Sequence, residues 1–193
     1  MLVIKIDGNM ATREELRKKR LKADHAEMVN LKGSIVQWKA IVGKEPYVEV
    51  YELTVNIRSI IGPGPKYRDQ HVISVELDNS YPISKPEIHM ISSPHPYHPN
   101  WWPHVGFDGL WCSGDWDFAE SLGHHIIRML RVLQFDPVIT NENSTTDSNQ
   151  NDWYIKHKNS GLFPCDKQVL PDPTAGKIKW DAKPNPTGKL KFH

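Results

Sequence analysis

The stretch YVEVYELTVNIRSIIGPGPKYRDQHVISVEL, Tyr47 to Leu77, carries two apolar–polar alternations separated by a Gly-Pro break. Leu53, Val55 and Ile57 oppose Thr54, Asn56 and Arg58, the period of a half-buried strand, and predict a strand from about Tyr47 to Ile60. Ile61-Gly62-Pro63-Gly64-Pro65 should end it sharply, because Pro removes an amide donor and Gly permits unusual dihedrals. Ile73, Val75 and Leu77 then share one face of a strand over about His71 to Leu77. Upstream, Val36, Trp38, Ala40 and Val42 alternate with Gln37 and Lys39, which predicts a preceding strand. Downstream, Glu87 to Ile91 reads as a short fourth. Four consecutive strands on short connections imply an antiparallel meander.

Helical signals flank these strands. Thr12-Arg13-Glu14-Glu15 is a capping box, in which hydroxyl and carboxylate satisfy a helix's first free amides. The helix it opens should run to about Leu31, with Gly33 as the stop. Leu122, Ile126, Met129, Leu130 and Leu133 form an apolar stripe at helical spacing, with Ser121 as cap and Pro137 as stop. The polar loop NENSTTDSNQN, residues 141–151, leads to a short helix around Trp153 to Lys158. The fold class is therefore α+β, with helices covering one face of the sheet. Residues 1–11 read as an N-terminal extension, 12–165 as one domain, and 166–193 as a proline-rich tail or arm without periodicity.

Composition narrows the function classes. A chain of 193 residues, 24% charged and 38% apolar, has enough apolar side chains for a core and is not disorder-like. The formal net charge of +1 comes without a basic block dense enough to mark a nucleic-acid partner. RKKRLK, Arg17 to Lys22, reads as a solvated helix face, since Glu14 and Glu15 stand four residues before Lys18 and Lys19. No stretch has the length of a membrane span, and MLVIKIDGN lacks the basic flank and cleavage site of a signal peptide. Cys112 and Cys165 show no C-x-x-C pattern, so neither a disulfide framework nor a zinc cage is indicated, and a cytoplasmic protein with free thiols is expected. His124 and His125 are adjacent on a helix and cannot share a face as metal ligands; no metal or other cofactor is expected.

The most unusual segment is PHPYHPNWWPHVGFDGLWCSGDW, Pro94 to Trp116, with Cys112, three histidines and four of the chain's seven tryptophans. Gly109 and Gly114 bracket Cys112 and would let the backbone present it on an exposed loop. The punctuation around it resembles that of the ubiquitin-conjugating enzymes. Ile61-Gly62-Pro63 resembles their I-x-G-P turn. Tyr81-Pro82-Ile83-Ser84-Lys85-Pro86 matches their Y-P-x-x-x-P bend. His98-Pro99-Asn100 reproduces the H-P-N tripeptide ahead of the active cysteine, and Gly109-Leu110-Trp111-Cys112 resembles G-x-I-C at it. Trp116 before the Leu122 helix resembles the W-x-P segment, and Asn143-Ser144 with Asp147 through Trp153 resembles the acidic or Ser-bearing loop and helix beyond. The resemblance spans roughly residues 12–158. Cys112-Ser113-Gly114-Asp115-Trp116 and the later Leu133 to Pro137 resemble bacterial members, some of them associated with antiphage defence.

One spacing departs from the pattern. The family's Asn stands eight residues before the Cys, whereas Asn100 stands twelve before Cys112. Eight back from Cys112 is His104, in Trp102-Pro103-His104. Either H-P-N is intact with four residues inserted after it, or His104 occupies the Asn slot.

The resemblance implies a UBC-like fold and a carrier function. Cys112 would accept the C-terminal glycine of a ubiquitin-like protein as a thioester from an activating enzyme, and a substrate lysine would then take it as an isopeptide. Thiolate is the attacking form, and a donor aimed at the developing oxyanion, Asn100 or His104, would lower the barrier. Ser144, with Asp147 nearby, would position the amine; His98, Pro99 and Trp116 would support the loop. No nucleic acid or membrane partner is implied. Residue by residue, other readings stand beside these: Asn100 as a turn brace, His98 as a loop fastener, the tryptophans as packing, and Cys165 as non-catalytic. Two rival functions are a catalytically inactive variant that only binds a ubiquitin-like protein or partner, and a Cys–His hydrolase pairing Cys112 with His98 or His104.

Overall fold

The computed structural model describes residues 4–6, 9–103 and 109–176, with side chains from 12 onward. A short antiparallel hairpin, β1 (Ile4–Ile6) and β2 (Asn9–Ala11), precedes helix α1 (Arg13–Leu31). Then come β3 (Val36–Lys44), β4 (Tyr47–Val55), β5 (Ser59–Gly62), β6 (Lys66–Arg68), β7 (His71–Glu76) and β8 (Glu87–Met90), followed by α2 (Leu122–Leu133) and α3 (Ser148–His157). The main sheet has the order β3-β4-β7-β8, antiparallel throughout, which is the expected four-stranded meander.

The strand expected to reach Ile60 leaves the sheet at Val55. Asn56 turns its Nδ2 to Ser34 O (2.7 Å) and Arg58 gives its amide to Asp166 Oδ2 (2.8 Å). The chain re-enters a separate ladder as β5, which pairs with β6. The Gly-Pro segment is thus the turn of a second small hairpin that Ile57 and Ile60, both fully buried, tie to the body. In β3 only Val36 and Trp38 are buried, and Ala40 and Val42 are exposed. Register shifts around Val42 and Gly43, in an edge strand, end the alternation there.

Both halves of the capping box at Thr12 and Glu15 are present. The face expected to be solvated is divided. Lys18 pairs with Glu14 at 2.7 Å, but Glu15 spends its carboxylate on the Thr12 amide rather than on Lys19. Arg17 turns inward to Glu49 (2.7 Å) and to the carbonyl of Leu77, and Arg20 to Asp24 (2.7 Å) and the carbonyl of Phe118. Their guanidiniums close the gap between α1, the sheet and the loop before α2, where solvated lysines would leave carbonyls unpaired.

All five stripe residues of α2 are fully buried against the sheet and α1. Its N-terminus is capped otherwise than the sequence predicts. Ser121 occupies the cap position, yet its Oγ bonds His124 Nδ1 (2.7 Å) and makes no cap bond. The first amides go instead to carboxylates of α1: Leu122 N to Asp24 Oδ1 (3.0 Å) and Gly123 N to Glu27 Oε2 (3.2 Å). Two buried negative charges at the positive end of a helix do the work of a hydroxyl. Gly123 is required there, because a Cβ would stand 2.5 Å from Pro173 and 2.6 Å from Glu27 Oε2. α3 begins at Ser148, earlier than expected, since Asp147 caps it by accepting from Gln150 N (2.9 Å).

Residues 166–176, expected to open the tail, lie along the domain. Asn30 Nδ2 donates to Pro173 O (2.9 Å), Gln134 Nε2 to Gln168 O (2.9 Å), and Leu170 packs on the main core. The rest of the expected tail, 177–193, lies outside the described residues. Among those described, no helix is long and apolar enough to cross a membrane.

Candidate active site

Between β8 and α2 the chain makes an irregular hairpin that carries Cys112. Trp102 N donates to Leu110 O (2.9 Å) and Gly109 N to Trp102 O (3.0 Å), and Trp101 and Trp111 form an antiparallel bridge. Residues 109–111 also lie against β8, through Met90 N to Gly109 O (2.7 Å) and Trp111 N to Ile88 O (2.9 Å). Gly109 has φ +75°, and a Cβ there would run into the Met90 carbonyl. The indole of Trp101, fully buried, donates to Gly109 O (2.6 Å). Cys112 follows, partly exposed, with its amide donating to Asn100 O (2.9 Å).

The hairpin explains the spacing. Residues 101–102 pair with 109–111, and Asn100 and Cys112 meet across that ladder in spite of the longer separation in sequence. His104 lies outside the described residues.

Asn100 is buried, and its side chain is fully used. Nδ2 donates to Asn141 O (2.8 Å) and Ser144 O (2.9 Å), while Oδ1 accepts from Asn141 N (2.9 Å). The sequence alternative of a brace describes these bonds. His98 is fully buried and holds the same turn: Nδ1 accepts from Asn100 N (3.0 Å), Nε2 faces Thr140 Oγ1 (3.4 Å), and the ring packs on Phe135. Burial drives its pKa down to about 3, so the ring is neutral. With both nitrogens engaged it is no base for Cys112, which removes the Cys112–His98 form of the hydrolase reading. Pro99 O accepts from Thr146 N (2.8 Å), stitching the tripeptide to the loop before α3.

A cleft of about 350 Å³ opens at Cys112, lined among others by Asn100, Arg128, Asn141 and Ser144. Ser144 is exposed in it. Asp147 is not among its lining residues; it caps α3 and borders a different cleft with His95 and Tyr97. Trp116 does not line the cleft; it donates to Pro82 O (2.8 Å) and stands edge-on to His125, with centroids 5.0 Å apart.

Sequence reasoning missed Arg128 and Asn141. Arg128, on α2, donates from Nη1 to Ser113 O (2.9 Å) and from Nη2 to Glu120 Oε2 (2.8 Å), and its guanidinium lies over the Trp111 ring. It thereby fixes the residue after the cysteine. Its only sequence signal is position: it lies off the apolar stripe of a largely buried helix. Beneath the cysteine strand, Ser113 Oγ, Trp111 Nε1, His125 Nε2 and Arg128 Nε are buried without partners.

Cys165 is differently placed. Its Sγ lies 3.2 Å from Arg58 O and 3.4 Å from Gln134 O, and burial pushes its pKa up to about 12. That keeps it a thiol and unsuited to nucleophilic work. Among the described residues no group of three or more His, Cys, Asp or Glu is arranged to hold a metal.

Compared with protein-family models and with curated proteins, the chain matches none.

Proposed function

We propose that the protein is a ubiquitin-conjugating-type carrier that accepts a ubiquitin-like protein as a thioester on Cys112 and passes it to a lysine amine. The observation that carries this reading is the pairing of the Cys112 amide with Asn100 O (2.9 Å) while the Asn100 side chain grips the loop carrying Ser144. A partly exposed thiol, a braced loop across a cleft and an exposed hydroxyl on that loop suit acyl transfer between two macromolecules, in which neither reactant is engulfed. Its partners are an activating enzyme, the ubiquitin-like protein and the substrate that bears the lysine. A bacterial conjugation system, of the kind associated with antiphage defence, is the setting to which the Cys112 to Trp116 segment points.

A second reading, a catalytically inactive variant that only binds a ubiquitin-like protein or partner, is favoured by one observation: both Asn100 amide hydrogens are committed to backbone carbonyls. One experiment separates the two. The protein is mixed with ATP, a charged cognate activating enzyme and its ubiquitin-like protein, and run on a non-reducing gel. The carrier reading requires an adduct that disappears with reductant and in Cys112→Ala. Absence of that adduct, with the activating enzyme demonstrably charged, leaves the binding-only reading.

A further inference from the structure

Resting on that carrier reading, a question remains of which group faces the acyl oxygen when the thioester on Cys112 is attacked. Asn100 has no hydrogen left to give. Trp111, Ser113 and Arg128 also line the cleft, but their unpartnered donor atoms, like His125 Nε2, are buried rather than exposed in it.

Asn141 differs on each point. It is exposed and lines the cleft that contains Cys112. Its backbone is clamped at two points by Asn100, Asn141 O receiving Nδ2 and Asn141 N donating to Oδ1. Its own Oδ1 accepts from Asn143 N (3.0 Å), an Asx turn that anchors the oxygen end of the amide. Its Nδ2 has no partner among the described residues.

We infer that Asn141 is the catalytic donor to the oxyanion and that Asn100 is a positioning residue acting through it. The neutral Nζ of lysine attacks the thioester carbon: the C–N bond forms as the carbonyl π pair moves onto oxygen, where Asn141 Nδ2 donates to it. The pair then returns, the C–S bond breaks, Cys112 leaves as thiolate, and the surplus proton on nitrogen passes to water. A fixed donor stabilises the charged oxygen without reorganising, and removing one such donor slows a reaction about 100-fold.

The test needs no cognate partner. A glycylglycine thioester of 2-mercaptoethanesulfonate loads Cys112, followed by intact mass, and the isolated adduct is discharged with free lysine or with hydroxylamine. Asn141→Asp keeps the acceptor for Asn143 N and removes the donor. The expected result is discharge slowed about 100-fold by both amines, with unfolding midpoint unchanged and Asn141→Gln recovering part of the rate. Asn100→Ala should slow both as well, but with lost protection of the 141–144 amides in hydrogen exchange. Wild-type rates in Asn141→Asp overturn the inference, as does slowing with lysine alone, which would make Asn141 an amine-positioning group. Failure of the wild-type protein to form any Cys112 adduct overturns the carrier reading instead.

Discussion

Asn100 and Asn141, 41 positions apart, are joined by two hydrogen bonds running in opposite directions, Nδ2 to O (2.8 Å) and N to Oδ1 (2.9 Å). A side-chain amide here imitates a strand partner and pairs with a loop as if with one rung of a ladder. The consequence is rigidity where an irregular segment would otherwise be free to move. The tripeptide bearing Asn100 and the loop bearing Asn141 and Ser144 become one wall of the Cys112 cleft.

Asn100→Asp should therefore be more damaging than its near-identical shape suggests. It replaces two buried N–H donors by a carboxylate oxygen facing the carbonyls of Asn141 and Ser144. An unpaired buried polar group costs about 1–3 kcal/mol, and a charged one more. The expected loss is about 3 kcal/mol in urea unfolding, with Asn100→Ala losing about 2 kcal/mol. Equal stability of Asn100→Asp and wild type would contradict the hydrogen-bond assignment.

Asp24 is the second joint. Almost wholly buried, it accepts from Tyr81 Oη (2.6 Å), Arg20 Nε (2.7 Å) and Leu122 N (3.0 Å). It therefore ties the bend after β7 and the start of α2 to the middle of α1. Breaking a buried ion pair from one side costs about 3–5 kcal/mol. Asp24→Ala should lose stability on that scale by thermal unfolding, and Asp24→Asn distinctly less, since its amide oxygen still accepts from Tyr81 or Leu122.

These two joints mark the limit of what the sequence discloses. Periodic features were legible: the capping box at Thr12, the stripe on α2 and the four meander strands follow from local spacing. Cys112 and its neighbour Asn100 were legible through punctuation, despite the altered spacing. The bonds that define the site were not, because a side chain that pairs with backbone dozens of residues away leaves no period. For the same reason Ser121 reads as the α2 cap from local spacing, whereas carboxylates from α1 supply it. The α1 arginines looked solvated because only the tertiary fold brings carbonyls to meet them. The end of β3 looked half-buried because alternation cannot reveal where a strand overhangs its core.

The two cysteines should separate kinetically. Cys112 is partly exposed at a cleft, whereas Cys165, raised to about 12, is held against carbonyls. At pH 8 a thiol of pKa near 12 is ionised to about one part in ten thousand. A disulfide reagent such as DTNB should release one equivalent quickly from the native protein and the second only in denaturant. Cys112→Ala should abolish the fast phase, and Cys165→Ala should leave it intact.

Stability should fall as pH falls from neutrality, before the carboxylates titrate. Burial holds His98 down to about 3, and burial together with the neighbouring Arg68 holds His71 down to about 4. Each is neutral by construction: His71 faces Ile57 O from Nε2 (3.1 Å) and receives Arg68 Nη2 at Nδ1 (3.0 Å). The folded state therefore binds fewer protons than the unfolded one below the ordinary histidine pKa of about 6.5. Since the unfolded chain takes up the protons, their stabilisation is complete above that value. It is lost as pH drops through the window from 6.5 to about 4 for His71 and about 3 for His98. Each contributes a slope approaching 1.4 kcal/mol per pH unit inside its window. Urea unfolding at a series of pH values between 7 and 4.5 should show the combined slope, to which the buried His125, also held down by burial, adds. His71→Gln should remove its own share, approaching 1.4 kcal/mol per pH unit. A flat profile in the wild type over that range would mean that neither ring is held neutral in the folded protein.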